Sequence, residues 1–442
     1  MITELKIKNF RSLKDVELKG LQPVNLLIGP NNSGKSNILK ALKFFGNVLN
    51  EEIPDKEHLQ PLFFSLVKEN ELIESDLIAL QFISELSDKN IPFGFGGITL
   101  SHYKKDNIEP SFAVAYSTTK DVPEQVSIDD VESLNNSFED FELVYYNYSE
   151  KVPPTTNIGA HVSSSRGYMG TRYIKREGSI NRISTLPDHA LSYFKAPIPS
   201  QIFTPIHNLK IYRPEPSKLL ELYPIQNEQS VNEDAGNLVA FLQVMRNRYQ
   251  AIFDIITEDL RQFAPEFKSI SFDLVDKPPK ELQEKYNNKS LAKIGLTDIH
   301  GRIFWAESLS EGTLYFLSLL CIIHQPEPPK LLLLEEPEKG IHPRRIRETM
   351  DLIFELAEEK GIQVILTTHS TAVVDTFADI PEAVYIVERE GQETTVKNLQ
   401  QDVIEPHNQQ FKAAGEEPIP FTDALGEHWA MGFLGGVPDD ND

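Results

Sequence analysis

Two kinds of apolar pattern follow each other along the first fifty residues. Residues 2–20 alternate apolar and polar side chains on both sides of a turn, which predicts two short strands. VNLLI, residues 24–28, is a continuous apolar run, the pattern of a strand buried on both faces. SNILKALKFFGNVL, residues 36–49, carries apolar side chains at helical spacing. The chain therefore begins with strands and then a helix, with a loop over residues 29–35.

The middle of the chain has weaker patterns. LFFSLVKE predicts a short helix, whereas DLIALQFISEL, FAVAYS and FELVYYNY predict strands, and NLKIYRPEP predicts a strand stopped by prolines. Residues 238–263 carry the longest helical pattern, which Pro265 ends. That single predicted helix is too short for a coiled-coil arm, and no long heptad repeat appears.

Strong patterns return from residue 291. The order is a hairpin-like segment, the helix GTLYFLSLLCIIH, the buried strand KLLLLEE, a charged helix, and the strands QVILTTH and AVYIVERE. Alternating strands and helices predict a parallel sheet with helices on its faces, which is an α/β fold. We expect a first lobe over residues 1–120, an inserted α/β and helical region over 121–290, and a second lobe with a tail over 291–442.

Composition and charge narrow the class of protein. The 442 residues contain 43 basic and 66 acidic side chains, a formal charge of −23, which disfavours non-specific binding to nucleic acid. The single cysteine, Cys321, lies in an apolar run and is expected to be a buried structural thiol. Because no apolar run approaches the ~18 residues of a membrane span and the N-terminus has no signal-like region, we expect a cytoplasmic protein.

Residues 29–36, GPNNSGKS, fit the phosphate-loop pattern G-x-x-x-x-G-K-[ST] between a predicted strand and a predicted helix. Backbone N–H groups of such a loop surround phosphate oxygens, and the following helix adds its positive end. Lys35 is expected to neutralise the β- and γ-phosphates and Ser36 to bind Mg²⁺. The loop residues expected to bind the nucleotide are Gly29, Asn31, Asn32, Ser33, Gly34, Lys35, Ser36 and Asn37.

Two further apolar strands end in chemically active side chains. KLLLLEEP ends in Glu335 and Glu336, of which the first is expected to complete the coordination of Mg²⁺ and the second to position or deprotonate the attacking water. QVILTTHS ends in His369, a candidate hydrogen-bond donor to a γ-phosphate. Because ligands gather at the carboxyl ends of parallel strands, we expect these side chains and Lys35 at one edge, as the catalytic residues.

SLSEGT, before the helix that leads to the glutamate strand, is a further candidate. Ser310 and the helix N-terminus near Gly312 offer hydroxyl and N–H donors for an anion.

In this order, GPNNSGKS, LSEGT, LLLLEEPE and TTHS resemble the ABC-type ATPase head of the RecF, SMC and OLD families, with OLD-like ATPases of bacterial anti-phage defence operons most similar. The resemblance implies a head fold with a mixed sheet and flanking helices, in which residues 1–120 and 291–442 form the ATPase lobes. The resemblance further implies ATP and Mg²⁺ as cofactors, LSEGT as the signature motif, His369 as the switch histidine, residues 338–342 as the D-loop, and a nucleotide contact from Arg11. It also implies a homodimer or higher homo-oligomer, because the signature of one head closes on nucleotide bound to another.

Two functions remain open. The first is an ATP-driven sensor or scaffold that controls a separately encoded protein effector, a nuclease or toxin of the same operon; the second is a RecF-like repair ATPase that binds DNA directly. The net charge favours the first. Residues 166–182 favour nucleic acid, because arginines and lysines alternate there with tyrosines, although a solvated loop has the same composition.

The C-terminal stretch offers the same kind of choice. It carries Trp429, Met431, Phe433 and Leu434 among glycines, and it either binds a partner or packs on the protein itself. Glu338 and His342 lie four residues apart, but Gly340 and Pro343 argue against the continuous helix that a metal pair would need.

Overall fold

The computed structural model describes residues 1–48, strands between 65 and 186, and residues 203–436 apart from 276–277, 288, 340 and 416–420. Between residues 48 and 202 it describes side chains only for 79–85. The chain divides into two compact units. Unit 1 comprises Met1–Leu209, Ile380–Phe421 and Met431–Asp442, and unit 2 comprises Lys210–Asp379 and Thr422–Ala430.

Unit 1 is dominated by strands. Its elements are β1 (Ile2–Phe10), β2 (Leu13–Lys19), β3 (Val24–Ile28), α1 (Lys35–Val48), β4 (Ser65–Lys68), β5 (Glu71–Glu74), β6 (Leu77–Glu85), β7 (Phe93–Ser101), β8 (Ser111–Ser117), β9 (Phe141–Tyr148), β10 (Tyr168–Arg176), β11 (Ser179–Leu186), β19 (Val384–Glu390), β20 (Glu393–Asn398) and α9 (Glu405–Ala414). Strands β4 and β5 form a separate two-stranded sheet.

Two sheets organise unit 1. Eight antiparallel strands follow the order β11-β10-β9-β8-β7-β6-β1-β2. Strand β3 pairs in parallel with β19, which pairs antiparallel with β20, so this sheet is mixed. All five residues of β3 are buried, as the continuous apolar run predicts. The phosphate-loop segment follows β3 directly.

Unit 2 alternates strands and helices. Its elements are β12 (Ile211–Tyr212), α2 (Pro216–Leu219), β13 (Tyr223–Pro224), α3 (Leu238–Arg248), α4 (Gln250–Phe263), β14 (Phe267–Val275), α5 (Lys280–Lys285), β15 (Leu291–Asp298), β16 (Ile303–Trp305), α6 (Glu311–Ile323), β17 (Leu331–Glu335), α7 (Pro343–Lys360), β18 (Gln363–Thr367), α8 (Thr371–Val374) and α10 (Leu425–Ala430). The strands and helices of both units thus confirm the predicted α/β fold class, and unit 1 contains a mixed sheet.

Parallel pairing sets the register of the unit 2 strands that carry candidate residues. Strand β12 pairs with β17, and β17 pairs with β18, with Glu335 opposite Thr367. The carboxyl ends of these strands therefore lie side by side. Strands β13, β14 and β16 belong to a second sheet, in which β15 is the common neighbour of all three. The apolar helix α6 is buried along its length, Cys321 included, which confirms the buried thiol.

Two predicted elements are wrong. Residues 65–68 of the predicted helix LFFSLVKE are strand β4. The single helix predicted over 238–263 is two helices, because Tyr249 leaves the helical conformation at φ −127° and ψ 53°. Helix α3 closes through the Tyr249 N–H to the Met245 carbonyl, and α4 opens on the Tyr249 carbonyl. Apolar residues continue at four-residue steps from Met245 through Tyr249 to Phe253, so the spacing gives no sign of the break.

The solvated-loop alternative for residues 166–182 is also wrong where the structure describes them. Residues 168–176 and 179–182 belong to β10 and β11, which form an antiparallel hairpin. Arg166 and residues 177–178, Glu177 included, lie outside the described residues. The expected division at residues 120 and 290 stays a prediction. In the described part of the chain, no helix is long and apolar enough to cross a membrane.

Candidate functional site

The phosphate-loop residues lie in unit 1. Its loop connects β3 to α1, and α1 begins at Lys35, so the helix N-terminus is directed into the loop. Ser33 N–H donates to the Pro30 carbonyl, and Asn37 and Ile38 donate to the Gly34 carbonyl, which closes the first helical turn. Strand, loop and helix thus have the local arrangement that the pattern G-x-x-x-x-G-K-[ST] requires.

Both glycines of the loop occupy positions that a side chain could not. Gly29 has φ +148°, and a Cβ there would lie 2.0 Å from the Val387 carbonyl oxygen. Gly34 has φ +117°, and a Cβ there would lie 2.2 Å from the Thr394 hydroxyl oxygen. The loop is therefore packed against β19 and β20 so closely that only glycine fits.

Lys35 is buried, and its ammonium donates to the carbonyl oxygens of Gly29 and Pro30, each at 2.8 Å. These charge-assisted bonds hold the ammonium inside the curve of the loop, where phosphate oxygens would be an additional set of acceptors. Ser33 adds a second polar group. Its side chain is 1% exposed, and its hydroxyl has no hydrogen-bond partner among the described residues. A buried hydroxyl without a partner fits a loop that receives a phosphate oxygen.

A hydroxyl network supports the loop from β20. Thr394 donates from Oγ1 to the Ser33 carbonyl at 2.8 Å, and Oγ1 also lies 2.8 Å from Ser12 Oγ. Asn37 donates through Nδ2 to the same Ser12 hydroxyl at 2.9 Å. Ser12 and Thr394 were not candidate residues from the sequence, because they lie far from the loop along the chain.

The remaining predicted residues of unit 1 take different positions. Asn31 and Asn32 are exposed, and Asn32 has φ +68°, a conformation that asparagine tolerates. Ser36 lies in the first turn of α1. Arg11 is in the left-handed region at φ +53°, with its guanidinium 5.8 Å from the centre of the Phe10 ring. The predicted nucleotide contact of Arg11 stays a prediction.

The two candidate glutamates lie in unit 2, at the carboxyl end of β17. Glu335 is the last residue of that strand, and Glu336 follows with φ +50°. The Glu336 N–H donates to the Thr367 carbonyl of β18 at 3.0 Å. A non-glycine residue in this conformation stores strain of about 1–3 kcal/mol, of the kind concentrated at functional sites. The strands therefore place both carboxylates beside the residues that follow β18.

His369 lies at this edge, as the parallel order predicts for unit 2. Its Nε2 is 3.9 Å from Glu336 Oε1. That Lys35 shares this edge stays a prediction, since the loop belongs to the other unit.

Arg213 is the residue of this edge that sequence reasoning missed. Its Nη2 donates to Glu336 Oε2 at 3.2 Å, and its Nη1 is 3.9 Å from Glu335 Oε2. The predicted strand NLKIYRPEP contained the signal, because an arginine directly before Pro214 ends a strand just as the two glutamates do. Without the pairing of β12 with β17, that arginine had no assigned neighbour.

Glu338 connects the acidic loop to His369. Its Oε1 accepts hydrogen bonds from the Thr368 hydroxyl at 2.7 Å and from the His369 N–H at 3.1 Å. Burial raises the pKa of Glu338, and the nearby negative charge of Glu336 acts in the same direction. Burial also raises the pKa of Tyr315, with further contributions from the charges of Glu338 and Glu336. The predicted D-loop segment thus positions the backbone of the histidine.

The signature segment begins helix α6. Ser310 is the N-cap residue, and its hydroxyl accepts the Thr313 N–H at 3.1 Å. Gly312 is buried in the first turn. His342 is the N-cap of α7, which starts at Pro343, so Glu338 and His342 lie outside that helix. In the described residues, no group of three or more histidine, cysteine or acidic side chains forms a metal cluster.

The four apolar side chains of the C-terminal stretch differ in burial, which bears on whether the stretch packs on the protein itself or binds a partner. Trp429 and Leu434 are buried, whereas Met431 and Phe433 are 67% and 59% exposed. Trp429 lies on α10 within unit 2, where α10 packs on α8, and the Gly426 N–H donates to Asp375 Oδ1 at 2.8 Å. Self-packing is therefore confirmed for Trp429.

A phosphate loop between a buried strand and a helix, with an acid-ended parallel strand in the second unit, defines a nucleotide-binding protein of the AAA and ABC-type ATPase class. The family model described as "AAA domain, putative AbiEii toxin, Type IV TA system" matches residues 24–375. That span is well over half of the chain, and the chain belongs to this family.

Curated relatives match parts of the chain. The Bacillus subtilis protein YhcH, an uncharacterized ABC transporter ATP-binding protein, is 26% identical over 182 residues, 41% of this chain and 52% of the relative. The Clostridium perfringens energy-coupling factor transporter ATP-binding protein EcfA2 is 25% identical over 115 residues, 26% of this chain and 39% of the relative. The chain spans about half of the first relative and less of the second.

Solved structures of SMC heads are also similar. An SmcHead bound to the C-winged helix domain of ScpA has a TM-score of 0.48 at 14% identity, over 90% of this chain and 97% of that one. The SMC head domain from Thermotoga maritima has a TM-score of 0.42 at 14% identity, over 90% of this chain and 98% of that one.

Proposed function

We propose that the protein binds and hydrolyses ATP, dimerises around the nucleotide, and acts as a sensor or scaffold that controls a separately encoded effector in bacterial anti-phage defence. The observation that carries the nucleotide part is the loop of unit 1. There the buried Lys35 ammonium lies within the curve of the loop and the Ser33 hydroxyl has no described partner. Both groups suit phosphate oxygens.

Lys35 neutralises phosphate charge in this proposal, while the loop N–H groups and the N-terminus of α1 orient the oxygens. Ser36 and Glu335 are the residues that would hold Mg²⁺, since a hydroxyl and a carboxylate are oxygen donors of the kind that this ion prefers. When bound, Mg²⁺ would offset the negative charge that develops on the phosphates. The absence of a three-ligand cluster among described residues fits an ion held mostly by nucleotide and water.

Glu336 positions the attacking water and accepts its proton, and His369 donates a hydrogen bond to the transferring phosphate. The geometry supports a shared task, since the His369 ring nitrogen and a Glu336 oxygen lie 3.9 Å apart. The strained backbone of Glu336 supports it further, because strain of this kind is retained where a side chain must point in one direction.

The signature segment supports the dimer. In ABC-type heads the signature of one head meets nucleotide bound to another, and this chain carries one copy of each motif. The charge of −23 and the toxin–antitoxin term in the family description support a protein effector over direct DNA repair.

The test of assembly compares two variants by equilibrium sedimentation in saturating ATP. Glu336→Gln keeps the loop and slows hydrolysis, so it should accumulate as a dimer. Lys35→Ala removes the phosphate-binding cation and should stay monomeric. A Glu336→Gln protein that remains monomeric although it binds ATP would overturn the ATP-driven dimer.

The test of the effector uses the same two variants purified from the native operon. A stoichiometric protein that accompanies Glu336→Gln but not Lys35→Ala, with no enriched nucleic acid, supports effector control. Enrichment of DNA without a protein partner would replace that function by DNA repair.

A further inference from the structure

One guanidinium in unit 2 faces both acids at the end of β17. Arg213 donates to Glu336 at 3.2 Å and lies 3.9 Å from Glu335, and both distances end on carboxylate Oε2 atoms. Arg213 is 43% exposed, whereas the Glu335 side chain is 18% exposed. The two adjacent carboxylates thus share one cation from the protein itself.

Backbone structure holds Arg213 at this position independently of the ion pair. Tyr212 pairs with Leu334 in register, so Arg213 follows β12 at the height where β17 reaches Glu335. The Arg213 N–H donates to the Glu233 carbonyl at 2.8 Å, and the Ile211 N–H donates to Glu233 Oε1 at 3.1 Å. The side chain therefore starts beside the acids whether or not they are charged.

The guanidinium and a divalent cation need the same oxygens. Mg²⁺ binds carboxylate oxygens at about 2.0–2.1 Å and requires a near-octahedral set of ligands. A guanidinium that donates to the carboxylates occupies some of their lone pairs. Two cations over one pair of carboxylates also repel each other, and this repulsion is screened only in part where Glu335 is mostly buried.

We propose that Arg213 is a resident counter-ion that competes with the divalent cation for the Glu335–Glu336 pair. The inference rests on the proposed function, since that function assigns the metal to Glu335. In the chain without nucleotide the guanidinium neutralises the two acids, and the metal nucleotide must displace it. Arg213 thereby raises the metal concentration at which the site fills and keeps the acids from binding free divalent ions.

The experiment measures Mn²⁺ binding by electron paramagnetic resonance, with and without the ATP analogue AMPPNP. The variants are Arg213→Gln, Arg213→Lys and Lys218→Gln. Lys218 is a matched control, because it loses one positive charge from an exposed pair with Glu221 and not from the two acids. Thermal melts verify that every variant is folded.

The expected result is Mn²⁺ binding about fivefold tighter in Arg213→Gln, equivalent to about 1 kcal/mol. The Mn²⁺ affinity of Arg213→Lys should lie between that of Arg213→Gln and that of the unmodified protein. Lys218→Gln should bind Mn²⁺ as the unmodified protein does. Adding Glu335→Gln to Arg213→Gln should abolish the gain, which locates it at the acidic pair. Unchanged or weaker Mn²⁺ binding in Arg213→Gln, with or without AMPPNP, would overturn the inference.

Failure of the proposed function has a different signature. If the unmodified protein binds no AMPPNP, nucleotide binding is refuted, whereas a gain of Mn²⁺ affinity in nucleotide-free Arg213→Gln still supports the competition at the acids.

Discussion

The hydroxyl of Thr394 is predicted to hold the phosphate loop in its binding conformation. Thr394→Val keeps the shape of the side chain but removes the bond to the Ser33 carbonyl and the contact with Ser12 Oγ, each 2.8 Å long. Leaving such a buried acceptor unsatisfied costs about 1–3 kcal/mol. If the substitution destabilises the binding conformation of the loop by that free energy, the dissociation constant for ATP rises about fivefold to 150-fold.

The assay is calorimetric titration of ATP into Thr394→Val, Thr394→Ser and Thr395→Val. Serine retains the hydroxyl and should bind nearly as tightly as the unmodified protein. Thr395 offers a matched control, because its buried hydroxyl has no hydrogen-bond partner in the described part of the chain. Thr395→Val should therefore leave affinity unchanged. Equal affinity of Thr394→Val and Thr395→Val would refute the role assigned to the β20 hydroxyl.

Three further changes test unit 2, each by thermal or chemical unfolding without nucleotide. Ser310→Ala should lower the free energy of unfolding by about 1 kcal/mol, because the Thr313 N–H loses its hydrogen bond to the N-cap side chain. Ser310→Asn should restore that free energy. Glu336→Asn should unfold at a higher temperature than Glu336→Gln, since asparagine tolerates the positive φ of +50°; an equal or lower value would refute strain at this position. Burial raises the pKa of Glu338, so the native state keeps the proton of this carboxyl to higher pH than the unfolded chain does. The stability of the unmodified protein relative to Glu338→Gln should therefore fall as pH rises from about 4.5. A stability difference that does not change with pH would contradict the raised pKa.

The sequence predicts well those features that lie within a short stretch of chain. The phosphate loop is one such feature, since the buried strand β3, the glycines and the helix α1 lie within residues 24–48. The apolar run of β17 and the acids at its end are another. In each case the pattern and the structure are set by neighbours along the chain, so alternation, spacing and turn residues contain the necessary information.

Features that depend on pairing between distant segments were not predictable from the pattern. Thr394 supports the loop because β19 pairs with β3 and returns through β20. The break between the helices at Tyr249 could not be predicted from the sequence pattern for a different reason. Apolar spacing contains no information about the backbone conformation of one residue, and Tyr249 continues the spacing from Met245 to Phe253.

Arg213 shows how the missing information changes the chemistry of the acidic site. From the sequence, two carboxylates at the end of an apolar strand needed a cation, and bound Mg²⁺ was the available explanation. In the folded chain a guanidinium already serves that need at 3.2 Å from Glu336. Satisfying the charge of the acids therefore requires no metal, so their presence alone is no longer an argument for one. The stronger argument for a functional site is then the left-handed backbone of Glu336, because an ion pair on the surface of a strand would not require that conformation.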